Sequence, residues 1–162
     1  MEEAAAEALQ GGVRLFQYRD KMGSRRGLYE TGNRLLRRIR DAGARLIIND
    51  HADIAAAVDA DGVHLGQDDL PLEDARRLLG PERIIGISTH SPGQAVAAQA
   101  GGADYIGFGP VFPTSTKDAG PALGTDALRA VCRMVTLPVL AIGGITVDTA
   151  GRAVLAGAAG VA

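Results

Sequence analysis

Short apolar runs alternate with amphipathic runs along the whole chain, and this alternation limits the folds that the chain can adopt. The apolar runs are continuous, which is typical of parallel strands covered by helices on both faces. Strands are predicted at 13–19, 45–49, 62–66, 83–88, 104–109 and 139–144, with a further strand beginning in 157–162. Helices are predicted at 28–42, 52–58, 72–79, 93–101, 125–135 and 147–156, with Thr125 as a candidate N-cap.

Related short elements precede several of these strands, namely DAGAR at 41–45, DADG at 59–62 and GGAD at 101–104. Such repetition indicates one strand–helix unit used many times, as in a (β/α)8 TIM barrel. An open, doubly wound sheet is the alternative, but the chain has no GxGxxG fingerprint to favour it. Polar residues follow each predicted strand, and the carboxyl ends of barrel strands face one mouth. The barrel is therefore the preferred interpretation.

Length adds a further expectation about the domain. The chain has 162 residues, whereas a barrel of this type typically has about 200 or more. It opens in a helix-like segment, MEEAAAEAL, and its last residues begin a strand. We therefore expect residues 1–162 to form a single TIM-barrel domain that is incomplete, lacking its first strand and last helix, and to be a fragment of a longer chain.

Composition excludes several classes of partner and location. The net charge is −2 with 46% hydrophobic residues, and no basic patch is interleaved with aromatic residues, so nucleic acid is not an expected partner. No apolar stretch reaches the roughly 20 residues of a membrane span, and the acidic start MEEAAAEAL is not expected to act as a signal peptide. The single cysteine, Cys132, fits a reducing cytoplasm. The sequence does not indicate an oligomeric state.

Carboxylates and an amide follow two neighbouring strands. NDHAD places Asn49 and Asp50 at one strand end, and GQDDLP places Asp68 and Asp69 at the next. Such oxygen ligands suit Mg²⁺, which usually binds a few carboxylates together with substrate phosphates. An aspartate at a strand end can instead cap the following helix, and Asp68 is the better candidate for that role. Two such sites on adjacent strands favour the metal.

Cations and a glycine turn are predicted near the same mouth. Arg19 and Lys21 lie in QYRDK, and Lys117 ends FPTSTK. Three cations and Mg²⁺ indicate a diphosphate ligand, because arginine grips phosphate oxygens with two donors and lysine acts as a mobile point charge. Gly143 and Gly144, in GGI after a late strand, suit backbone binding of a phosphate.

The histidines are less informative. His64, within GVHLG, is expected to point into the barrel or the core, whereas His90 follows Ser88 and can reach the mouth. His51 is expected to start a helix. No HExxH or CxxC spacing is present to indicate zinc, and no nucleophile-elbow motif indicates a catalytic serine.

Taken in order, these segments closely resemble the thiamine phosphate synthase family, from about residue 12 onward. The segments are QYRDK, LIINDHADIAAAVDADGVHLGQDDLP, IIGISTH, ADYIGFGPVFPTSTK and VLAIGGI. The resemblance implies a (β/α)8 barrel and a cytoplasmic transferase of thiamine biosynthesis. Its implied substrates are 4-amino-2-methyl-5-(diphosphooxymethyl)pyrimidine and 4-methyl-5-(2-phosphoethyl)thiazole (thiazole phosphate), and its products are thiamine phosphate and diphosphate.

The resemblance also implies roles for individual residues. It assigns the pyrimidine diphosphate to Gln17, Arg19, Lys21 and Asn49, with Tyr18 and Asp20 in the same stretch, and Mg²⁺ to Asp50 and Asp69. It assigns diphosphate contacts to Ser88 and Lys117, and the thiazole phosphate to Thr114, Ser115, Thr116, Gly143 and Gly144. The residues expected to act in catalysis are Arg19, Lys21, Ser88 and Lys117.

Two alternatives remain at this point. A thiazole tautomerase-like paralogue resembles the synthase in fold and sequence, but it has no use for a diphosphate–Mg²⁺ site. A truncated, non-catalytic phosphate-binding protein is the other alternative. The retained Asp50, Asp69, Arg19, Lys21 and Lys117 favour the synthase, whose reaction is expected to be a Mg²⁺-assisted dissociative substitution.

Overall fold

Strands and helices alternate along the chain in this computed structural model, which describes residues 1–114 and 120–162. The strands are β1 Leu15–Tyr18, β2 Arg45–Asn49, β3 Gly62–Leu65, β4 Ile84–Thr89, β5 Tyr105–Phe108, β6 Val139–Ala141 and β7 Gly160–Val161. The helices are α1 Glu2–Gln10, α2 Arg25–Asp41, α3 Ala52–Val58, α4 Leu72–Leu79, α5 Pro92–Ala100, α6 Gly124–Met134 and α7 Val147–Leu155.

Contacts between residues divide the chain into two compact units, Met1–Ile85 and Gly86–Ala162. In the first unit, β1 pairs with β2 and β2 with β3, both in parallel. The core of this unit contains Ile47, Ile48 and Val63, none of which is exposed to solvent. Helix α2 covers this sheet with a stripe of buried residues that includes Leu35 and Ile39, so the apolar runs of the sequence become the inside of the unit.

The second unit repeats the arrangement with different residues. Strand β4 pairs with β5, β5 with β6 and β6 with β7, again in parallel. Ile106 and Phe108 of β5 are fully buried, as are Leu128 and Val131 of α6. Buried glycine allows close packing here, since a Cβ at Gly86 would overlap the ring of Tyr105.

The structure confirms the predicted α/β alternation and the parallel strands. Helices α3 and α4 have the predicted bounds, and a short strand, β7, lies within the predicted 157–162 segment. Helix α2 begins three residues before the predicted 28, because the Ser24 hydroxyl accepts a hydrogen bond from the backbone N–H of Gly27 at 3.1 Å and caps the helix. The predicted cap Thr125 is wrong, since α6 begins at Gly124 after Leu123.

The structure does not test the predicted domain organisation. The single-domain and fragment interpretations stay predictions. Within the described residues, every helix is too short or too polar to cross a membrane.

Candidate active site

In the first unit, the carboxyl ends of the strands carry predicted site residues at one level. The register pairs Tyr18 with Ile48 and Asn49 with His64. Arg19 follows Tyr18, so it continues β1 to the level of Asn49 and His64. The charge of Arg19 is near enough to lower the pKa of His64. A cation, an amide and an imidazole are thus brought together by strand pairing alone.

Two further predicted residues lie on β1 itself. Gln17 is exposed and Tyr18 is buried. Both line a largely apolar cavity of about 230 Å³, whose other walls come from α1, α2 and β2. The structure therefore places Gln17 and Tyr18 beside this cavity as well as next to Arg19.

Asp20 organises the turn that carries Lys21. Its Oδ1 accepts hydrogen bonds from the backbone N–H groups of Met22, at 3.0 Å, and Gly23, at 2.9 Å. A Cβ at Gly23 would come within 2.9 Å of the Asp20 carboxyl carbon, so a larger residue there would push the Asp20 carboxylate aside. The Asp20 carboxylate thus binds its own backbone, which is the usual use of aspartate in turns.

Asp50 lies in a tight turn directly after β2. Its φ is +64°, a left-handed conformation that is uncommon for residues other than glycine. The backbone N–H of His51 donates to the carbonyl of Asn49 at 2.8 Å, closing a three-residue turn around Asp50. The N–H of Asp50 donates to the carbonyl of His64 at 2.8 Å. These two bonds hold a strained backbone in place at the end of the sheet.

Helix capping does not explain the aspartates in this region. The N-cap of α3 is His51, as expected, and the N-cap of α4 is Pro71. Neither Asp50 nor Asp68 therefore caps a helix, and the prediction that Asp68 does so is wrong.

The side chains of Asp50 and Asp69 lie together after the ends of β2 and β3. The two side chains are hydrogen-bonded to each other. Oδ2 of Asp69 also accepts from the backbone N–H of Gly66 at 2.7 Å. Burial raises the pKa of Asp50, and the charge and hydrogen bond of Asp69 raise it further, while Arg19 and His51 act in the opposite direction. Two carboxyl groups in contact need a shared proton or a cation between them.

The contact between these carboxyl groups fits Mg²⁺ bound by two protein ligands and phosphate oxygens. Within residues 1–114 and 120–162, no group of three or more His, Cys, Asp or Glu side chains could hold a metal. Within those residues, Asp50 and Asp69 are thus a pair of carboxyl groups and not part of a larger cluster. The neighbouring Asn49 side chain is 7% exposed, and its Nδ2 has no hydrogen-bond partner among the described residues. A buried amide donor without a partner fits a site that binds an acceptor.

His64, which the sequence predicts to point into the barrel or the core, is a neighbour of the site. It is buried, as expected, and burial is the main reason that its pKa falls to about 4. Asp69 acts to raise this pKa, and Arg19 lowers it. The imidazole is therefore neutral at pH 7. The signal in the sequence was its position at the end of a buried strand, just before GQDD.

The second unit carries the remaining predicted residues. Ser88 is half-buried near the end of β4. Thr114 ends the segment 109–114, which follows β5 and is fixed against the residues after β6. The backbone N–H of Val111 donates to the Ile142 carbonyl at 2.8 Å, and that of Phe112 donates to the Gly143 carbonyl at 3.0 Å.

Gly143 and Gly144 are glycines for a steric reason. Both have positive φ, +84° and +65°. A Cβ at Gly143 would lie 2.6 Å from the Pro110 Cβ, and one at Gly144 would lie 2.6 Å from the Phe112 carbonyl oxygen. The two backbones are packed together without side chains between them. Helix α7 begins three residues after Gly144, at Val147, and Thr146 caps it through a capping box with Thr149. Successive N–H groups before a helix are a common phosphate-binding arrangement.

Three predicted residues, Ser115, Thr116 and Lys117, lie outside the described residues.

Comparison with known proteins identifies the family. The family model described as thiamine monophosphate synthase matches residues 1–162. A thiamine-phosphate synthase of Shouchella clausii is 49% identical over 96% of this chain and 75% of its own length. One from Chlorobium luteolum is 51% identical over 96% of this chain and 74% of its own length.

The fold is also closely similar to a solved structure with a related name. The thiamine phosphate pyrophosphorylase from Pyrococcus furiosus superposes with a TM-score of 0.91 at 42% identity, covering 99% of this chain and 77% of that one. A whole-chain family match, close relatives and a closely similar structure agree on the family. The chain belongs to the thiamine monophosphate synthase family.

Proposed function

We propose that this protein is a thiamine phosphate synthase, a transferase that joins 4-amino-2-methyl-5-(diphosphooxymethyl)pyrimidine to thiazole phosphate and releases diphosphate. The names of its close relatives support this activity. The observation that carries the proposal is the contact between Asp50 and Asp69, next to Arg19. Two carboxyl groups and a cation together suit a metal diphosphate better than a single phosphate.

The first unit supplies the proposed diphosphate site. Asp50 and Asp69 would hold Mg²⁺, and Arg19 and Lys21 would bind diphosphate oxygens. The Asn49 amide, whose Nδ2 lacks a partner among the described residues, would donate to the pyrimidine substrate. When bound, Mg²⁺ supplies positive charge that stabilises the departing diphosphate.

The second unit supplies the proposed thiazole phosphate site. The N–H groups of Gly143 and Gly144 would bind the phosphate, with Thr114 beside them and Ser88 on the diphosphate. Since the positive φ values of both glycines are fixed by packing against Pro110 and Phe112, these donors are already oriented before the substrate binds. Such preorganisation lowers the cost of ordering the site on binding.

The proposed reaction requires stabilisation of developing negative charge and needs no protein nucleophile. The bond between the pyrimidine methylene carbon and the diphosphate oxygen breaks, and both electrons leave with diphosphate. The thiazole nitrogen then donates its electron pair to the methylene cation, forming the new carbon–nitrogen bond. Arg19 and Lys21, oriented by strand β1 and by the turn at Asp20, would stabilise the negative charge that develops.

Fold and location form part of the same proposal. We infer an incomplete (β/α)8 barrel, since the parallel strand–helix alternation and the similarity to the Pyrococcus furiosus structure support it. A cytoplasmic location is proposed from the single cysteine. A tautomerase acting on thiazole phosphate alone would leave the Asp50–Asp69 pair without a role.

A coupled assay tests the function. We expect diphosphate release that requires Mg²⁺ and both substrates, and a loss of about 100-fold or more in kcat for D50N and D69N, since metal ligands contribute several kcal/mol to such reactions. D68N is the matched control, because Asp68 is exposed beside Asp69, and it should keep wild-type turnover. Diphosphate release without thiazole phosphate, or full activity of D50N, would refute the proposal.

A further inference from the structure

His90 is a residue that the proposed chemistry does not use, yet its position is tightly fixed. Its backbone N–H donates to Oε1 of Gln94 at 2.7 Å, and Ser91 caps α5 by accepting from the N–H of Gln94 at 3.3 Å. The Nδ1 atom of the His90 ring lies 2.6 Å from the carbonyl oxygen of Gly109. Because a carbonyl can only accept, Nδ1 carries the proton in this contact.

Both backbone polar groups of Gly109 are hydrogen-bonded. Its carbonyl accepts from His90, and its N–H donates to the Thr89 carbonyl at 3.1 Å. The fully buried Thr89 hydroxyl donates to the Gly107 carbonyl at 3.0 Å. Two consecutive residues at the end of β4 therefore fix the point where the chain leaves β5.

The same segment is fixed from its other side. Val111 and Phe112 donate to the carbonyls of Ile142 and Gly143, as described above. A Cβ at Gly109 would overlap the backbone carbonyl of Ile142. The segment 109–114 is thus held between the end of β4 and the residues after β6. The His90 ring contributes a side-chain hydrogen bond to this arrangement.

We propose that His90 is a positioning residue for the thiazole phosphate substrate. Through its Nδ1–H bond to Gly109, it sets the path of residues 110–114 and so the placement of Thr114 against Gly143 and Gly144. This inference rests on the proposed function, because the ligand of the segment is the thiazole phosphate assigned there. His90 acts through the backbone and does not itself transfer a proton to a substrate.

Three variants of His90 test this positioning role, because the new side chains carry an N–H donor at different distances from the backbone or carry none. Asparagine carries an N–H at the place of Nδ1, glutamine carries one near the place of Nε2, and alanine has none. We expect H90A and H90Q to raise the KM for thiazole phosphate about tenfold, as the loss of one hydrogen bond implies. H90N should stay near wild type, and the KM for the pyrimidine diphosphate should be unchanged in all three.

Nitrogen-15 NMR of the wild-type ring gives a second readout that needs no variant. The proposal requires the Nδ1–H tautomer at pH 8; the Nε2–H tautomer would overturn it. A wild-type KM for thiazole phosphate in H90Q, together with a raised KM in H90N, would also overturn it. Unchanged KM values in all three variants would do the same. A wild-type protein that forms no thiamine phosphate would instead refute the proposed function.

Discussion

Asp50 combines two unfavourable features at one residue. Its backbone has a positive φ of +64°, and its carboxyl group is in contact with that of Asp69. Strained backbone of this kind costs on the order of 1–3 kcal/mol and persists only where surrounding structure imposes it. Here the hydrogen bonds of Asp50 N–H and His51 N–H impose it. Under the proposed function, the bound Mg²⁺ would offset the repulsion of the carboxylates.

A change in pH should reveal this repulsion in the metal-free protein. The folded-state pKa of Asp50 is raised above its ordinary value of 3.8, so its contribution to stability is present below that value and is lost as pH rises through the folded pKa. D50N should therefore be more stable than wild type at pH 7, and the difference should shrink towards pH 4. Asparagine tolerates positive φ, so the turn is preserved.

Urea unfolding of both proteins with EDTA, at several pH values, measures this effect. The free energies of unfolding of wild type and D50N must be compared at each pH, because His64 changes stability with pH in the opposite direction to Asp50. Its lowered pKa, about 4, means that it costs stability as pH falls through 6.5. That contribution is common to wild type and D50N. A D50N protein that is less stable than wild type at pH 7 would contradict the prediction.

At the scale of elements, charged side chains join the amino-terminal side of the first sheet to its helices. Arg40 of α2 contacts Asp59, the left-handed C-cap of α3, at 3.3 Å, and Asp61 at 3.6 Å. Arg83 pairs with Asp59 and donates to the carbonyl of Ala60 at 3.0 Å. This cluster fixes the start of β3, opposite to the end that carries the proposed site.

Two members of this cluster should differ in their contribution to stability. Oδ2 of Asp61 accepts from the backbone N–H of Leu46 at 2.8 Å, and Leu46 is buried. D61A leaves that N–H without its partner and should cost about 1–3 kcal/mol. D59N removes the exposed ion pairs, keeps a residue that tolerates the left-handed backbone of Asp59, and should cost at most about 1 kcal/mol. Urea denaturation of both variants measures the difference, and an equal loss in the two would count against this account.

At the scale of the whole molecule, the proposed substrate sites divide between the two units. Most residues assigned to the pyrimidine diphosphate belong to Met1–Ile85, and those described for the thiazole phosphate belong to Gly86–Ala162. Each substrate should therefore stabilise the protein through its own residues. Binding to the folded state alone adds about 2.7 kcal/mol when the free ligand is 100-fold above Kd.

Thermal melting checks this expectation without turnover. Pyrimidine diphosphate with Mg²⁺ should raise the Tm by about 5–10 °C at 100-fold over Kd, given the usual dependence for chains of this size. EDTA should abolish most of that rise, and so should D50N. A rise with thiazole phosphate should persist in EDTA, because backbone N–H groups need no metal. Equal Mg²⁺ dependence for both ligands would argue against separate sites.

Much of this arrangement could be predicted from the sequence, because parallel strands place their carboxyl ends together. That rule predicted carboxylates together after two neighbouring strands. The resemblance to the family then indicated Asp50 and Asp69 among them. Helix α2 was predicted to start too late, since the capping effect of Ser24 depends on a hydrogen bond to Gly27 that residue types alone do not reveal.

Other features needed the register and the backbone angles. The strand that contains His64 is buried throughout, so its pattern does not show which residues meet Asp69 or Arg19. The positive φ of Asp50 is equally invisible, because aspartate is common in ordinary turns. The Nδ1 contact of His90 joins residues 19 apart in the chain, and only the pairing of β4 with β5 explains it.

The glycine contacts around 109–114 have a consequence for how the protein can diversify. Every single-base change of a glycine codon that alters the amino acid introduces a Cβ, and at Gly109, Gly143 and Gly144 that atom would overlap backbone or Pro110. We therefore expect substitutions at these three glycines to destabilise the fold, whatever their effect on ligand binding. New substrate preferences would then have to arise from substitutions at other positions, which leave the path of this backbone as it is.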